Sequence, residues 1–338
     1  MPTALRPTPL KINCPGEESN MPDGLSPSDK RDEGLPALSG IGQPRFAAAV
    51  FAGGGNRCFW QAGFWSEAAP ALGLGAVRRV AATSAGAAIA CVLLAGRLRE
   101  GLAHFRSAVA ANPRNVHPGN LFRGRPVFPH AALYRRALLA VIDRDALARL
   151  HAGPELLVPV TRAPGWLGMR TAFAVAGLAD ALEHVARPSV HPRFARRLGF
   201  AAEYVPVRRC PSPEALADLV LASSCTPPFT PALAHGGRPA LDGGIADNVP
   251  AAAVEGDDGP TLVLLTRRYP RLPGHPGRVY VQPSAPVAVS AWDYTDPDGI
   301  AAAFDLGRRD GEAFASTWTP ASASGIRPAG SHTKDRRS

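Results

Sequence analysis

The 338-residue sequence predicts an α/β protein with a mostly parallel central sheet flanked by helices. Two observations carry this. The folded part opens strand, glycine loop, helix, strand, sharp turn, helix, and such alternation builds parallel strands joined by helical crossovers. Hydrophobic residues make up 46% and charged residues 19%, a balance that excludes a wholly disordered chain and, at this length, supplies a large core. No apolar run approaches the ~20 residues that span a bilayer. No alternating ten-residue segments of a membrane barrel occur either.

Residues 1–43 are rich in Pro, Gly, Ser and charge and are expected to form a disordered tail, as is 321–338, leaving a body of 44–320. Arg45–Phe51 is a short apolar run stopping at Gly53-Gly54-Gly55, which reads as a buried strand entering a tight loop. Arg57 to Leu72 reads as a helix. Val77–Thr83, small and β-branched, is a second strand; it ends at Ser84-Ala85-Gly86, and Ala87–Leu94 continues as an apolar helix. Ala131–Leu150 has helical spacing through Leu133, Leu138, Val141, Ile142 and Leu147. Glu155–Val160 and Ala201–Arg208 read as strands, and Pro213–Ser223 as a helix with proline at its start. Thr261–Leu265 is a buried strand, Arg278–Gln282 another, and 299–316 a closing helix. Residues 163–200 receive no assignment.

The net charge is +9, almost all of it arginine. Between Arg97 and Arg209 eighteen arginines stand against seven acidic residues, an excess that suits either an anionic surface or simple solvation. The basic residues are spread out with no aromatic-basic motif, so no nucleic-acid partner is expected. Five cysteines, odd in number and without CxxC pairing, point to free thiols in a reducing compartment. The opening residues show no secretory h-region. The expected location is cytoplasmic.

Three features carry chemistry. Gly53-Gly54-Gly55-Asn56-Arg57 joins a strand to a helix. Its unobstructed peptide N–H groups at a helix N-terminus suit an oxyanion hole, a phosphate cradle or a plain turn. A dinucleotide site would add an acidic residue at the end of the second strand, and a Walker loop a lysine; both are missing, which favours a transient anion. Ala82-Thr83-Ser84-Ala85-Gly86 has the layout of a nucleophile elbow, although Ser84 alone also suits an ordinary N-cap. Leu241-Asp242-Gly243-Gly244 reads as a tight turn or as a presented carboxylate. His104, His117, His130, His151, His184, His191, His235 and His275 sit in no motif and read as surface residues, so Asp242, held by two glycines, is a candidate base for Ser84 in place of a histidine.

These three features, in this order and spacing, resemble the patatin-like phospholipases. Gly63 matches a further family glycine. Ala222-Ser223-Ser224-Cys225-Thr226-Pro227-Pro228-Phe229 is similar to the block before the family's aspartate, and Asp247-Asn248-Val249-Pro250 to the stretch after it. Two departures stand out: Cys58 replaces a glycine after the arginine, and Ala82 replaces the first glycine of the elbow.

The resemblance implies a three-layer sandwich and a lipid acyl hydrolase of phospholipase A or lysophospholipase type. Ser84 would be the nucleophile and Asp242 the base, with Gly53, Gly54, Gly55 and Asn56 forming the oxyanion hole. Arg57, Gly86, Gly243 and Gly244 would support them, and Asp247 would anchor a turn. No cofactor and no metal are expected. The partners are an acyl lipid or phospholipid and, peripherally, an anionic membrane. Phe59, Trp60, Phe64 and Trp65 suit either an acyl pocket or ordinary core. The competing reading is a catalytically impaired relative that binds lipid or a protein partner.

Overall fold

The computed structural model describes residues 46–123, 127–168, 171–175, 189–191, 194–227, 229–256 and 259–318. The expected tails, and much of 163–200, lie outside the described residues. In chain order the elements are β1 (Ala48–Phe51), α1 (Phe59–Leu72), β2 (Arg79–Ala82), α2 (Ala85–Leu94), α3 (Leu98–Ala110), α4 (His130–Val141), α5 (Arg144–Ala152) and β3 (Glu155–Arg162). There follow α6 (Phe194–Arg197), β4 (Ala201–Pro206), α7 (Pro213–Ala222), β5 (Leu233–His235), β6 (Arg238–Ala240), α8 (Gly243–Asp247), β7 (Thr261–Leu264), β8 (Arg278–Val281) and α9 (Pro297–Thr317).

Six strands form one sheet in the order β4-β3-β2-β1-β7-β8. All neighbours run parallel except β3 and β4, so β4 is an antiparallel edge. Strand alternation sorts the small and branched side chains onto two faces. Ala49, Phe51, Val80, Ala82, Leu262 and Leu264 join the larger core, which the main helices cover. Ala48, Val50, Ala81 and Val263 point the other way, against Val249, Ala251, Val254 and Tyr269. The architecture is a mostly parallel sheet flanked by helices, as the sequence predicts.

Helix α1 is buried along most of its length because α9 lies directly on it. Glycines allow the approach: a side chain at Gly63 would collide with the Phe304 carbonyl, and one at Gly307 with that of Trp60. Trp60 donates from Nε1 to Asp310 at 2.7 Å, and Phe64 packs on Phe314. Trp65 lies against Phe51. Three of the four aromatics read as acyl-pocket candidates therefore seat α9 and the sheet, while Phe59 borders a cavity.

The single helix expected over 131–150 is two helices. Asp143 breaks it by capping α5, accepting from the Ala146 N–H at 2.7 Å. Helix α3 and the β5–β6 hairpin have no counterpart among the sequence expectations. The hairpin turns at Gly236 and Gly237, both at positive φ. Buried Arg162, at the end of β3, holds it in place. Its guanidinium donates to the carbonyls of His235, Arg238 and Pro239 and to Glu203.

Candidate active site

The strands β1 and β2 are neighbours, so the loops leaving their C-terminal ends emerge side by side. The first is the glycine loop; the second is the turn at Ser84. The Ser84 backbone sits at φ 53°, ψ −127°, and it is the one non-glycine residue with positive φ among the described residues. Such strain persists only where surroundings over-determine it. Here the Ser84 N–H donates to Ser223 Oγ at 3.0 Å, Ser223 Oγ donates to the Pro159 carbonyl at 2.6 Å, and the Ser84 carbonyl accepts from Ala87. The turn lifts the hydroxyl to the N-terminus of α2, where helix amides favour negative charge.

Asp242 comes from 158 positions later, and its Oδ2 lies 3.0 Å from Ser84 Oγ. The hairpin delivers it: Leu241 bridges to Thr161 of β3, and the Asp242 N–H donates to the Cys225 carbonyl. The carboxylate is fixed by division of labour. Oδ1 caps α8 by accepting from the Gly244 N–H at 2.7 Å, while Oδ2 faces Ser84 and also accepts from Thr226 Oγ1 at 3.3 Å. Ser224 Oγ lies 3.2 Å from Ser84 Oγ and donates to the Val220 carbonyl.

The glycine loop is pinned at both ends. The Gly53 N–H donates to the Asn248 carbonyl, the Gly53 carbonyl accepts from Thr266 Oγ1 at 2.8 Å, and the Asn56 N–H donates to Ala291. The Asn56 side chain binds the Asp293 carbonyl at 2.6 Å. Of the four residues expected at the oxyanion hole, Gly53 and Asn56, expected there as neighbours of the Gly54 and Gly55 amides, have their own N–H groups engaged elsewhere. The N–H groups of Gly54 and Gly55 donate to no acceptor among the described residues. Gly55 takes φ 57° under the Ala291 carbonyl, where no side chain fits. Arg57 Nε donates to the Gly54 carbonyl at 3.3 Å, and burial holds this guanidinium below its ordinary pKa, with Arg267 adding to the effect.

Both departures from the family pattern fall on relaxed backbone. Ala82 is a buried residue of β2. Cys58 is in the right-handed helical region, with its thiol aimed at the Ala52 carbonyl. Burial pushes that thiol's pKa up strongly. Asp247 anchors its turn by accepting from Tyr204 at 2.5 Å, and its carbonyl accepts from Thr83 Oγ1.

Gly54, Gly55, Ser84 and Asp242 share the wall of a cavity of about 290 Å³. Arg57 and Arg267 line it as well, as do Tyr134, Trp292 and Tyr294. So does His130, against the expectation of a surface histidine: it is 2% exposed among Phe128, Phe229, Trp292 and Tyr294. Its Nε2 pairs with the Trp292 carbonyl at 3.0 Å and its Nδ1 has no partner among the described residues. Burial lowers its pKa, which favours the neutral ring, and the Trp292 carbonyl is an acceptor for a hydrogen on Nε2. Its immediate neighbours Pro129 and Ala131 give no sign of this in the sequence; apart from Phe128, the aromatic cage comes from distant segments.

No curated protein matches the chain. The family model for patatin-like phospholipases matches residues 49–254, more than half of the chain, from β1 through the glycine loop, the Ser84 turn and Asp242. On that match and this fold, the chain belongs to the patatin-like phospholipase family.

Proposed function

We propose that the protein hydrolyses acyl esters of lipids, of phospholipase A or lysophospholipase type, through a Ser84–Asp242 dyad. The observation that carries this reading is the 3.0 Å approach of Ser84 Oγ to Asp242 Oδ2, beside two unengaged glycine amides. Ser84 Oγ attacks the acyl carbonyl as Asp242 takes its proton. The Gly54 and Gly55 N–H groups donate to the developing oxyanion; losing one such donor costs about 3 kcal/mol of barrier. Collapse expels the alcohol, which leaves with the proton from Asp242. Water then attacks the acyl-enzyme, giving its proton to Asp242, and the acid departs with Ser84 restored. Arg57 orients the Gly54 peptide and, with Arg267, makes the cavity wall cationic, which suits a phosphate-bearing substrate.

The relaxed backbone at Ala82 and Cys58 supports an active enzyme over an impaired relative. The test is hydrolysis of a p-nitrophenyl acyl ester, with labelling of the serine by a fluorophosphonate. Wild type turns over and labels; Ser84→Ala does neither; Asp242→Asn loses at least about 10³-fold in kcat. An unlabelled, inactive wild type would leave the binding-module reading in its place.

A further inference from the structure

A second cavity, of about 50 Å³, adjoins the first. The two share Gly55, Ala85, Tyr134 and Tyr294 in their walls, so they are neighbours beside the glycine-loop amides and the residue after Ser84. Its walls have a regular origin. Helix α2 contributes Ala85, Ala88, Ile89 and Val92; α3 contributes Leu98, Gly101, Leu102 and Phe105; α4 contributes Tyr134, Ala137, Leu138 and Val141. Each set has the spacing i, i+3, i+4, i+7 of one helix face. Three apolar stripes converge, yet they do not close. Each carries small residues, and a gap inside a core that is otherwise close-packed is a standing cost to the fold. No charged side chain lines it.

We propose that this groove takes the first carbons of the substrate's acyl chain, the carbonyl sitting at Gly54 and Gly55 and the alcohol portion occupying the larger, arginine-bearing cavity. The inference rests on the dyad reading and adds the direction and reach of the acyl group. A volume of about 50 Å³ holds roughly four groups the size of a water or a methylene. Discrimination between chains is therefore set within about four methylenes beyond the acetyl group, and carbons further out add little.

The experiment is kcat/KM for monomeric p-nitrophenyl esters from acetyl to decanoyl. Each methylene up to hexanoyl raises it about fourfold, the equivalent of burying one CH₂, and the profile then levels off. Two variants reshape the groove away from Ser84. Ala137→Leu fills it, and lowers the hexanoyl-to-acetyl ratio at least about tenfold by excluding two or more methylenes. Ile89→Ala enlarges it and moves the plateau two or three carbons longer. Because each ratio is taken within one preparation, a smaller folded fraction does not alter it. A flat wild-type profile, an undiminished rise through decanoyl, or ratios unmoved by both variants would overturn the assignment while leaving the dyad standing. A wild type that hydrolyses none of the esters would overturn both.

Discussion

The hydroxyl of Ser84 has two acceptors within reach, Asp242 Oδ2 at 3.0 Å and Ser224 Oγ at 3.2 Å, and one proton to give. Ser224 already donates to Val220, so it offers Ser84 only a lone pair, whereas the carboxylate is the stronger acceptor. Ser223 matters in a different way, because its hydroxyl bridges the strained Ser84 amide to Pro159. Ser224→Ala should leave kcat within about threefold, while Ser223→Ala should cost about 1–3 kcal/mol of stability by stranding a buried donor, and lower kcat with it. Urea denaturation and steady-state kinetics on the pair separate the two roles. His130 gives a second check. Its pKa lies below the ordinary 6.5 because it is buried, so the unfolded chain protonates this ring first. Its contribution to stability is complete above about pH 6.5 and is lost as pH falls toward the folded value. The urea midpoint should fall between about pH 7 and pH 5, and fall less in His130→Phe. Ser84, Asp242 and the glycines were legible because each belongs to a local turn with its own residue code. The roles of Ser224 and Thr226 and the burial of His130 were not, since partners from other segments create them.

The β5–β6 hairpin and the end of β3 act together as the mount for Asp242. Arg162 binds three hairpin carbonyls and Glu203, and Leu241 then pairs with Thr161 one step before the carboxylate. Arg162→Leu keeps much of the volume but strands those acceptors. It should cost about 2–3 kcal/mol of stability and reduce kcat more than it raises KM, which thermal melts and ester kinetics would show. An arginine that only decorates the surface would move neither. The sequence located most of the sheet strands because their apolar runs are bounded by glycine, proline or serine. It overran at 131–150, where apolar spacing continues across Ile142-Asp143 and only the capping bond reveals the break. The stripe Leu98, Leu102, Phe105, Val109 of α3 has helical spacing, but arginines and polar residues interleave it. The hairpin is three residues a side, too short for alternation to register.

Across the whole molecule, part of the arginine excess is structural: Arg97, Arg135 and Arg162 pair with Asp143, Asp218 and Glu203. Some large apolar side chains are exposed. Phe122 is 92% exposed beside Arg123, and Trp166 is 78% exposed. No helix among the described residues is long and apolar enough to cross a membrane. With net charge +9, the protein should sediment with anionic vesicles and less so with zwitterionic ones. Raising salt from about 0.1 to 0.5 M should release it, since screening shortens the reach of surface charge. Binding indifferent to salt would assign any attachment to the exposed aromatics instead. One feature of the sheet ties the glycine loop to chain beyond Val254. Strand β1 lies between β2 and β7, and Thr266, just past β7, grips the carbonyl of Gly53. A chain stopped at Val254 already contains Ser84, Asp242 and every glycine of the loop, yet its first strand has an open edge and the Gly53 carbonyl lacks its brace. On the proposed reading, a protein truncated at Val254 should therefore fail to hydrolyse the p-nitrophenyl esters that the full chain turns over.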